Sequence, residues 1–246
     1  MSDKAADAAD LLAATSHSGG TIDGLPDALR PGTPAEAMAI QSAFIRRHGS
    51  CGWKVGPHPS GSGWCGAPLR GRSAQPTPHR LSYDRAAAMR IEVEVAIVLG
   101  SDLPAAASAA DVRTAIAKTH IALELFRSSY PDPKQQDFPS LLADSLSNAG
   151  VVLGEGRAPR EGDDFGALEM TLVHNGDTLA GTGKGAAMDV IVEMLGWLSG
   201  YAAEVGSGLK RGDVIITGAR LGPLSVAEAG TYRASCALGG VELEVA

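Results

Sequence analysis

Residues 90–100, RIEVEVAIVLG, constrain the fold more than any other stretch of this 246-residue chain. Their alternation and β-branched content predict a strand, on which side chains two apart point to the same face. Glu92 and Glu94 therefore share a face, with Cα atoms roughly 6.5 Å apart. The opposite face is wholly apolar, and the glutamate face continues through Ala96 and Val98. The stretch predicts a strand buried on both sides that nevertheless carries two carboxylates.

The composition limits the partners and the location that we expect. The chain has 21 Lys and Arg against 28 Asp and Glu, a net charge of −7 at pH 7. This sign disfavours nucleic acid and anionic membranes as partners. No apolar run has transmembrane length, and the N-terminal residues lack the pattern of a secretory signal. Cys51, Cys65 and Cys236 show no metal-site spacing, so we expect reduced thiols and a cytoplasmic protein.

Composition and capping signals predict helices in the N-terminal part of the chain. Residues 3–15 are rich in alanine, and a second helix is predicted from Thr33, its N-cap, to Gly49. A short strand over residues 51–56 follows. Residues 57–79 are then dense in Gly, Pro and Ser, which predicts a long loop of the kind that often forms a functional lid.

The remainder of the chain mixes many strands with few helices. Periodicity predicts helices over residues 108–119 and 185–206, and Asn175-Gly176 predicts the turn of a hairpin. Further strands are predicted over residues 120–126, 149–156, 212–218 and 230–245.

These elements predict a mixed α/β (α+β) fold. The sequence shows no internal repeat and no clear linker. We therefore expect a single domain over residues 1–246, with a helical N-terminal portion at 1–50 and a strand-rich catalytic portion at 51–246.

Several familiar catalytic motifs are absent from the sequence. GTGKG, residues 181–185, lacks the spacing of a phosphate-binding loop because Lys184 is followed by Gly185. No GxSxG nucleophile motif occurs, and the six histidines form no HExxH-type pair. These absences argue against a nucleotide site, a serine hydrolase and a zinc site.

A third carboxylate turns attention back to the two glutamates. Glu124 lies in the apolar segment HIALELF, residues 120–126. An exposed edge strand would explain Glu92 and Glu94 without any ligand. Burying several carboxylates together is costly, however, unless a cation compensates them. Carboxylates without Cys or His favour a hard cation, Mg²⁺ or Mn²⁺. A 2-oxo acid would chelate such an ion. The ion would then polarise the carbonyl of the acid and stabilise an enolate.

An ordered set of motifs carries a family resemblance from about residue 35 to the end. The motifs are GWKVG, RIEVEVAIVL, DLP, ALE, ADSLSNAGVVLG, and GDVIITGA with LGP one residue later. In this order they resemble the 2-keto-4-pentenoate hydratase family of the fumarylacetoacetate hydrolase superfamily, which includes 4-oxalocrotonate decarboxylase. The resemblance implies a β-roll surrounded by helices, a Mg²⁺ or Mn²⁺ site and a homo-oligomer, often a pentamer or decamer.

The resemblance also assigns roles to residues. Glu92, Glu94 and Glu124 match the metal ligands of the family. Lys54 in GWKVG matches its active-site lysine, whose ammonium would hold a substrate carboxylate or a developing enolate and pass a proton if its pKa is lowered. Ser147 in ADSLSN matches a serine near the substrate.

Three further residues are weaker candidates. Asp144, in the same stretch as the matched serine, is expected either to orient the site or to cap a loop. Thr217 and Gly218 are expected to offer a hydroxyl and a backbone N–H to a substrate carboxylate. A plain turn at the end of a strand would explain these two residues nearly as well.

The chain departs from the family pattern at three places. Trp64, in SGWCGAP, stands where the family has an Asp that is a candidate acid or base. Ser128-Ser129 replaces the family's SR, and DVIV at 189–192 replaces GHPL. A bulky Trp64 would select a larger or aromatic substrate. His58 or His79, in or near the predicted lid, is a candidate replacement for the missing base.

We expect a metal-dependent lyase acting on a small 2-oxo or 2-hydroxydienoic acid. Hydration of 2-hydroxypenta-2,4-dienoate to 4-hydroxy-2-oxopentanoate is the first expectation. Decarboxylation of an oxalocrotonate-like acid needs fewer proton-transfer groups and is the alternative that the departures favour. Carbon–carbon hydrolysis of an acylpyruvate and a degenerate, non-catalytic subunit also remain open.

Overall fold

A computed structural model describes residues 3–160, 162–182 and 185–246. Its α-helices are α1 Lys4–Ser18, α2 Pro34–His48, α3 Tyr83–Ala86, α4 Ala109–Ala115, α5 Phe138–Ala143 and α6 Met188–Val205. Its strands are β1 Ser50–Pro57, β2 Trp64–Arg70, β3 Gln75–Pro76, β4 His79–Leu81, β5 Arg90–Leu99, β6 Ile116–Phe126, β7 Asn148–Arg157, β8 Met170–His174, β9 Asp177–Thr182, β10 Val214–Ser225, β11 Gly230–Cys236 and β12 Gly239–Val245. Short 3₁₀ turns cover Pro133–Gln135 and Ser145–Ser147.

Two sheets form the centre of the fold. The larger has the strand order β2-β1-β10-β5-β6-β7-β3, and the smaller has the order β4-β12-β11-β8-β9. Strand β1 pairs with β10 in parallel, whereas β5 is antiparallel to both of its neighbours. One hydrophobic core includes residues from both sheets and from α6. The predicted mixed α/β fold is confirmed.

The N-terminal helices begin and end where the sequence signals indicate. The Thr33 side chain accepts a hydrogen bond from the backbone N–H of Glu36, and Gly49 follows α2 with a positive φ of 82°. Helices α1 and α2 pack through small and aliphatic side chains that include Leu12 and Ile40. The helical N-terminal portion is therefore present.

Strand β5 is interior and buried on both faces, as the sequence predicts. Ile91, Val93 and Val95 lie in the main core with α6 and the smaller sheet. On the other face, Ala96 and Ala122 belong to a separate apolar cluster. The alternative of an exposed edge strand is wrong, because β10 and β6 pair with β5 on either side.

Two local predictions are wrong. The predicted loop over 57–79 contains β2, because residues 58–63 form a turn, closed by a 2.9 Å bond from His58 N–H to the Gly63 carbonyl, that returns the chain along β1. The predicted helix over 108–119 ends at Ala115. Beyond it the backbone is extended, and Val98 pairs with Lys118.

The predicted β8–β9 turn and the predicted end of α6 are found in the structure, whereas part of the GTGKG stretch is not described by it. Asn175 and Gly176 have positive φ and form the β8–β9 turn, and Gly206 ends α6 in a left-handed conformation. Gly183 and Lys184 of the GTGKG stretch lie outside the described residues. Among the helices that the structure describes, none is both long and apolar enough to cross a membrane.

Candidate metal centre

Glu92, Glu94 and Glu124 come together on one face of the larger sheet. Glu92 lies directly opposite Glu124 in the antiparallel β5–β6 pair, and Glu94 lies opposite Ala122. One carboxylate oxygen from each glutamate lies within 4.8 Å of the other two. Like charges directly opposite each other destabilise a sheet. We call these three residues the acidic cluster.

Burial and mutual repulsion disfavour the charged form of the cluster. Glu94 is 1% exposed and Glu124 is fully buried. Burial, and then the charge of Glu124, raise the pKa of Glu92 to about 7. The same two causes raise the pKa of Glu94 well above its ordinary value. The cluster therefore holds more negative charge than its surroundings compensate.

Lys54 is the cation next to the acidic cluster. Its Nζ donates to Glu124 Oε1 at 2.6 Å, to Glu124 Oε2 at 2.9 Å and to the Leu146 carbonyl at 3.3 Å. Burial lowers the pKa of Lys54, but the charges of Glu124 and Glu94 outweigh burial and raise it. Next to these carboxylates Lys54 is therefore held as an ammonium group, and its predicted part in proton transfer stays a prediction.

Two further groups orient the carboxylates. The Gly218 N–H donates to Glu94 Oε2 at 2.7 Å, and Asn148 Nδ2 donates to Glu124 Oε1 at 2.8 Å. Asn148 is fully buried and its Oδ1 accepts from the Arg70 N–H at 2.8 Å. Sequence reasoning misses Asn148, although it lies within the ADSLSNAGVVLG motif.

The structure gives Thr217 and Gly218 uses that differ from the predicted one. The Thr217 hydroxyl donates to the Val95 carbonyl at 2.8 Å, and the Gly218 N–H is taken by Glu94. Both predicted donors are thus engaged within the protein. Binding a substrate carboxylate with either would require breaking a bond that holds β10 to β5.

The turn before β7 holds an acceptor next to Lys54. Ser145, Leu146 and Ser147 have φ values of 54°, 50° and 63°, a left-handed conformation that is costly for residues other than glycine. In this conformation the Leu146 carbonyl accepts from Lys54, and the buried Ser147 presents its carbonyl to the Arg127 N–H at 2.7 Å. Ser147 thus lies in the chain between Leu146, which binds Lys54, and Asn148, which binds Glu124, and its predicted contact with substrate stays a prediction.

Asp144 lies in a separate buried ion pair. Arg70 Nη2 donates to its Oδ1 at 2.7 Å, and Ser128 Oγ, Ser129 N and Ser129 Oγ also donate to its two oxygens. Asp144 is fully buried. Its carboxylate thus anchors the segment that follows β6, where Ser128-Ser129 replaces the family's SR. An orienting role stays a prediction, whereas the hydrogen bonds leave its oxygens no free position for a substrate.

Strand register places Trp64 on the face away from the acidic cluster. Lys54 pairs with Ala67 across β1 and β2, so Cys65 shares the Lys54 face whereas Trp64 points to the other. There Trp64 lines a cleft with Trp197 of α6. Burial raises the pKa of the Cys65 thiol, and the nearby Lys54 charge opposes this. The predicted substrate contact of Trp64 gains no support from this position.

The two candidate histidines also lie apart from the acidic cluster. His58 is in the β1–β2 turn, where its ring contacts Phe138 and its Nδ1 is 2.7 Å from Ser60 Oγ. His79 is on β4 of the smaller sheet, paired with Leu243. Neither position supports a replacement base. At the start of α6, Ile191 and Val192 are core residues, whereas Asp189 of the same DVIV stretch is exposed and pairs with Arg113.

The residues present fit a hard divalent cation. Three carboxylates offer oxygen ligands close together, and Lys54 is the cation that forms an ion pair with them among the described residues. Mg²⁺ and Mn²⁺ prefer such oxygen donors. A cation would offset both the burial and the mutual repulsion that raise the pKa values of Glu92 and Glu94.

Comparisons with known proteins agree with this architecture. Residues 66–242 match the sequence family described as fumarylacetoacetate (FAA) hydrolase C-terminal. Over 147 residues the chain is 35% identical to a 2-keto-4-pentenoate hydratase of Burkholderia vietnamiensis and 34% identical to one of Paraburkholderia phymatum. Each match spans 59% of this chain and 55% of the relative, so the chain matches about half the length of these relatives.

Solved structures show the same fold at low identity. A 4-oxalocrotonate decarboxylase from Pseudomonas putida G7, complexed with magnesium and adipate, superposes with a TM-score of 0.84 at 20% identity, over 98% of this chain and 97% of that one. A fumarylpyruvate hydrolase from Pseudomonas aeruginosa, in complex with Mn²⁺ and pyruvate, gives 0.55 at 12% identity, over 78% and 88% of the two chains. The predicted β-roll with surrounding helices is thereby confirmed.

Proposed function

The chain belongs to the fumarylacetoacetate hydrolase family, and from this premise we propose that it is a Mg²⁺- or Mn²⁺-dependent lyase acting on a small 2-oxo or 2-hydroxydienoic acid. Hydration of the 2-keto-4-pentenoate type is the first reaction to test. The hydratase relatives and the resemblance of the motifs support this choice.

The acidic cluster is the observation that carries the proposal. Three carboxylates converge within 4.8 Å on an interior sheet face, and two of them have raised pKa values. A structural role gives no reason to place this much charge in a core, because paired or apolar residues would be more stable there. A binding site for a divalent cation and a chelating acid would explain why the three carboxylates lie together in the core.

The acidic cluster, Lys54 and Asn148 would have different roles in this reaction. A divalent cation held by Glu92, Glu94 and Glu124 would supply the positive charge that polarises the 2-oxo group of a substrate. Lys54 keeps its ammonium group at the edge of the cluster, where it can neutralise a substrate carboxylate or charge that develops on the 2-oxo oxygen. Asn148 fixes the orientation of Glu124.

The direct test follows 2-hydroxypenta-2,4-dienoate by its dienol absorbance. We expect the absorbance to fall with Mg²⁺ and to persist with EDTA, and Lys54→Met to turn over at least about 100-fold more slowly. The exposed Lys210→Met serves as the matched control and should match the unaltered protein. Turnover that persists in EDTA would contradict the metal-dependent proposal.

Decarboxylation of an oxalocrotonate-like diacid is the second candidate. Trp64 and residues 189–192 stand where the family pattern has acid and base groups that hydration would use, and loss of CO₂ requires fewer proton transfers. The decarboxylase fold match over nearly the whole chain is consistent with this reaction. Release of CO₂ from 4-oxalocrotonate, with no loss of the pentadienoate, would favour it over hydration.

A further inference from the structure

A cleft of about 440 Å³ is lined in part by Gly218, the residue whose N–H binds Glu94 of the acidic cluster. Its walls include Pro57, Ala186 and Met194, and residues 217–220 of β10 line its other side. Gly218 belongs to both sites, because its N–H binds Glu94 Oε2. Ala219, the next residue, pairs directly with Glu94 across the strands. We call this space the Arg220 cleft.

Arg220 is the charged residue of this cleft. Among the described residues that line it, no other is ionisable, and none of the described carboxylates lies within ion-pair distance of Arg220. Its Nη1 donates to the Thr217 and Gly218 carbonyls at 3.3 and 2.6 Å, and its Nη2 donates to Thr217 Oγ1 at 3.2 Å. Its buried Nε has no hydrogen-bond partner. The guanidinium is therefore held in place without a counter-ion in contact.

Gly185 allows the neighbouring segment to cover this guanidinium. A Cβ at residue 185 would lie 3.3 Å from Arg220 Nε and 2.1 Å from the Phe165 carbonyl oxygen. Burial lowers the pKa of Arg220 and the charge of Glu94 opposes this, yet a guanidinium stays protonated in proteins. The cleft thus presents one fixed positive charge between apolar walls.

We propose that Arg220 is a specificity-determining residue that binds the second carboxylate of a 2-oxo dicarboxylate. The 2-oxo acid end of the same molecule would lie at the acidic cluster, so this inference rests on the proposed function. Thr217 and Gly218 have their donors engaged within the protein, whereas the Arg220 guanidinium offers an anion a positive charge and keeps an N–H, on Nε, that no described group accepts. A guanidinium matches a carboxylate in charge and geometry, and the apolar walls suit the carbon chain between the two ends.

The test compares two acids of equal chain length that differ in the second carboxylate. Dissociation constants of 2-oxoadipate and 2-oxohexanoate are measured by calorimetry in the presence of Mg²⁺. We expect the unaltered protein to bind 2-oxoadipate at least about 10-fold more tightly, the scale of a charge-assisted hydrogen bond. R220M should remove this preference, because it should weaken the binding of 2-oxoadipate by far more than the binding of 2-oxohexanoate.

A second variant separates recognition from a purely structural role. R220Q keeps an N–H₂ group for the Thr217 and Gly218 carbonyls but loses the charge, so it should also lose the preference while keeping its thermal unfolding temperature. R233M, which removes an exposed arginine of the smaller sheet, is the matched control and should keep the full preference.

The outcomes separate a failure of the role of Arg220 from a failure of the proposed function. If both acids bind equally well to the unaltered protein, or if R220Q weakens both alike, the role of Arg220 is wrong while the 2-oxo acid site stands. If neither acid binds in Mg²⁺, the proposed function fails and this inference fails with it.

Discussion

Two buried ionic centres lie in the part of the chain that the structure describes, and they differ in charge balance. Asp144 is one carboxylate facing one arginine, Arg70, and its remaining positions are filled by Ser128 and Ser129. The acidic cluster has three carboxylates and one lysine. Both centres contain a fully buried carboxylate, so burial alone does not separate them.

The difference in charge balance indicates whether each centre has a structural or a ligand-binding role. A buried carboxylate whose charge and lone pairs are all satisfied within the chain has no need of a ligand and fixes the structure. A cluster that is short of positive charge is completed only by a cation from outside the chain. Asn148 lies between the two centres, bound to Glu124 on one side and to the Arg70 backbone on the other.

The largest effect is expected from a change within the acidic cluster. Glu94→Gln keeps the shape of the side chain and removes its charge. Loss of an outer hydrogen-bond partner weakens metal sites about 10- to 100-fold, so we expect loss of a ligand to weaken Mg²⁺ binding by more than about 100-fold. Turnover should be lost with it, and calorimetry with Mg²⁺ measures the binding.

The same variant should stabilise the metal-free protein, because the pKa of Glu94 is raised and its ionised form therefore opposes folding. Urea denaturation in EDTA at about pH 8 checks this sign. The exposed Glu169→Gln is the control and should change neither quantity. Unaltered Mg²⁺ affinity in Glu94→Gln would remove the basis for treating the cluster as a metal centre.

Asp144→Asn should show the opposite pattern. The substitution leaves Arg70 as a buried cation without its counter-ion, which costs about 3–5 kcal/mol of unfolding free energy. Mg²⁺ affinity should stay close to that of the unaltered protein. Asp163→Asn, which breaks the more exposed pair with Arg157, is the matched control and should cost about 1 kcal/mol or less.

Urea denaturation and Mg²⁺ calorimetry on Asp144→Asn decide whether the two centres are independent. A stable variant that no longer binds Mg²⁺ would show that Asp144 acts on the metal centre through Arg70 and Asn148. The predicted orienting role of Asp144 would then be correct, and the contrast in charge balance would not separate structure from function.

Asn148→Ala tests the connection between the centres. Without the amide donor, Glu124 keeps its lysine partner but loses a fixed orientation, and we expect Mg²⁺ binding to weaken about 10- to 100-fold. Asn175→Gly removes an amide from the β8–β9 turn, where glycine suits the positive φ, and should leave Mg²⁺ binding unaltered. Equal affinities in the two variants would mean that Lys54 alone orients Glu124.

Alternation along a strand is enough to predict part of the acidic cluster. Glu92 and Glu94 share a face because side chains on a strand alternate, whatever the neighbouring strands are. The position of Glu124 opposite Glu92 depends on the register between β5 and β6. Alternation does not determine register. Glu124 is therefore identified as a candidate ligand from its apolar neighbours in the sequence and from the family resemblance.

The same dependence on register explains why the sequence alone cannot assign Trp64 to a face of the sheet. Residues 57–79 are rich in Gly, Pro and Ser, so the sequence predicts a loop where β2 lies. Without that strand Trp64 cannot be assigned to a face. Once β2 is paired with β1, Cys65 faces Lys54 and Trp64 does not. Asn148 and Arg220 are missed for another reason: their partners include backbone groups, such as the Arg70 N–H and the Thr217 carbonyl, that leave no pattern in side-chain type.

The smallest effect is a dependence of stability on pH that arises from Glu92. Its pKa is about 7 in the folded protein against an ordinary value of 4.5, so the folded state holds this proton more tightly than the unfolded state does. The resulting stability is fully present below pH 4.5 and is lost as the pH rises through about 7. In EDTA, Glu92→Gln should reduce the loss between about pH 5 and about pH 8 by on the order of 2 kcal/mol.

Urea denaturation across this pH range, with Glu169→Gln as the control, measures the change in slope. Excess Mg²⁺ should reverse the sign for the unaltered protein, because ionised carboxylates bind the cation and binding stabilises the folded state. The balanced Asp144 centre offers no reason for such a reversal. A slope in EDTA that Glu92→Gln leaves unaltered would mean that the cluster is already compensated within the chain, and the contrast between the two centres would fail.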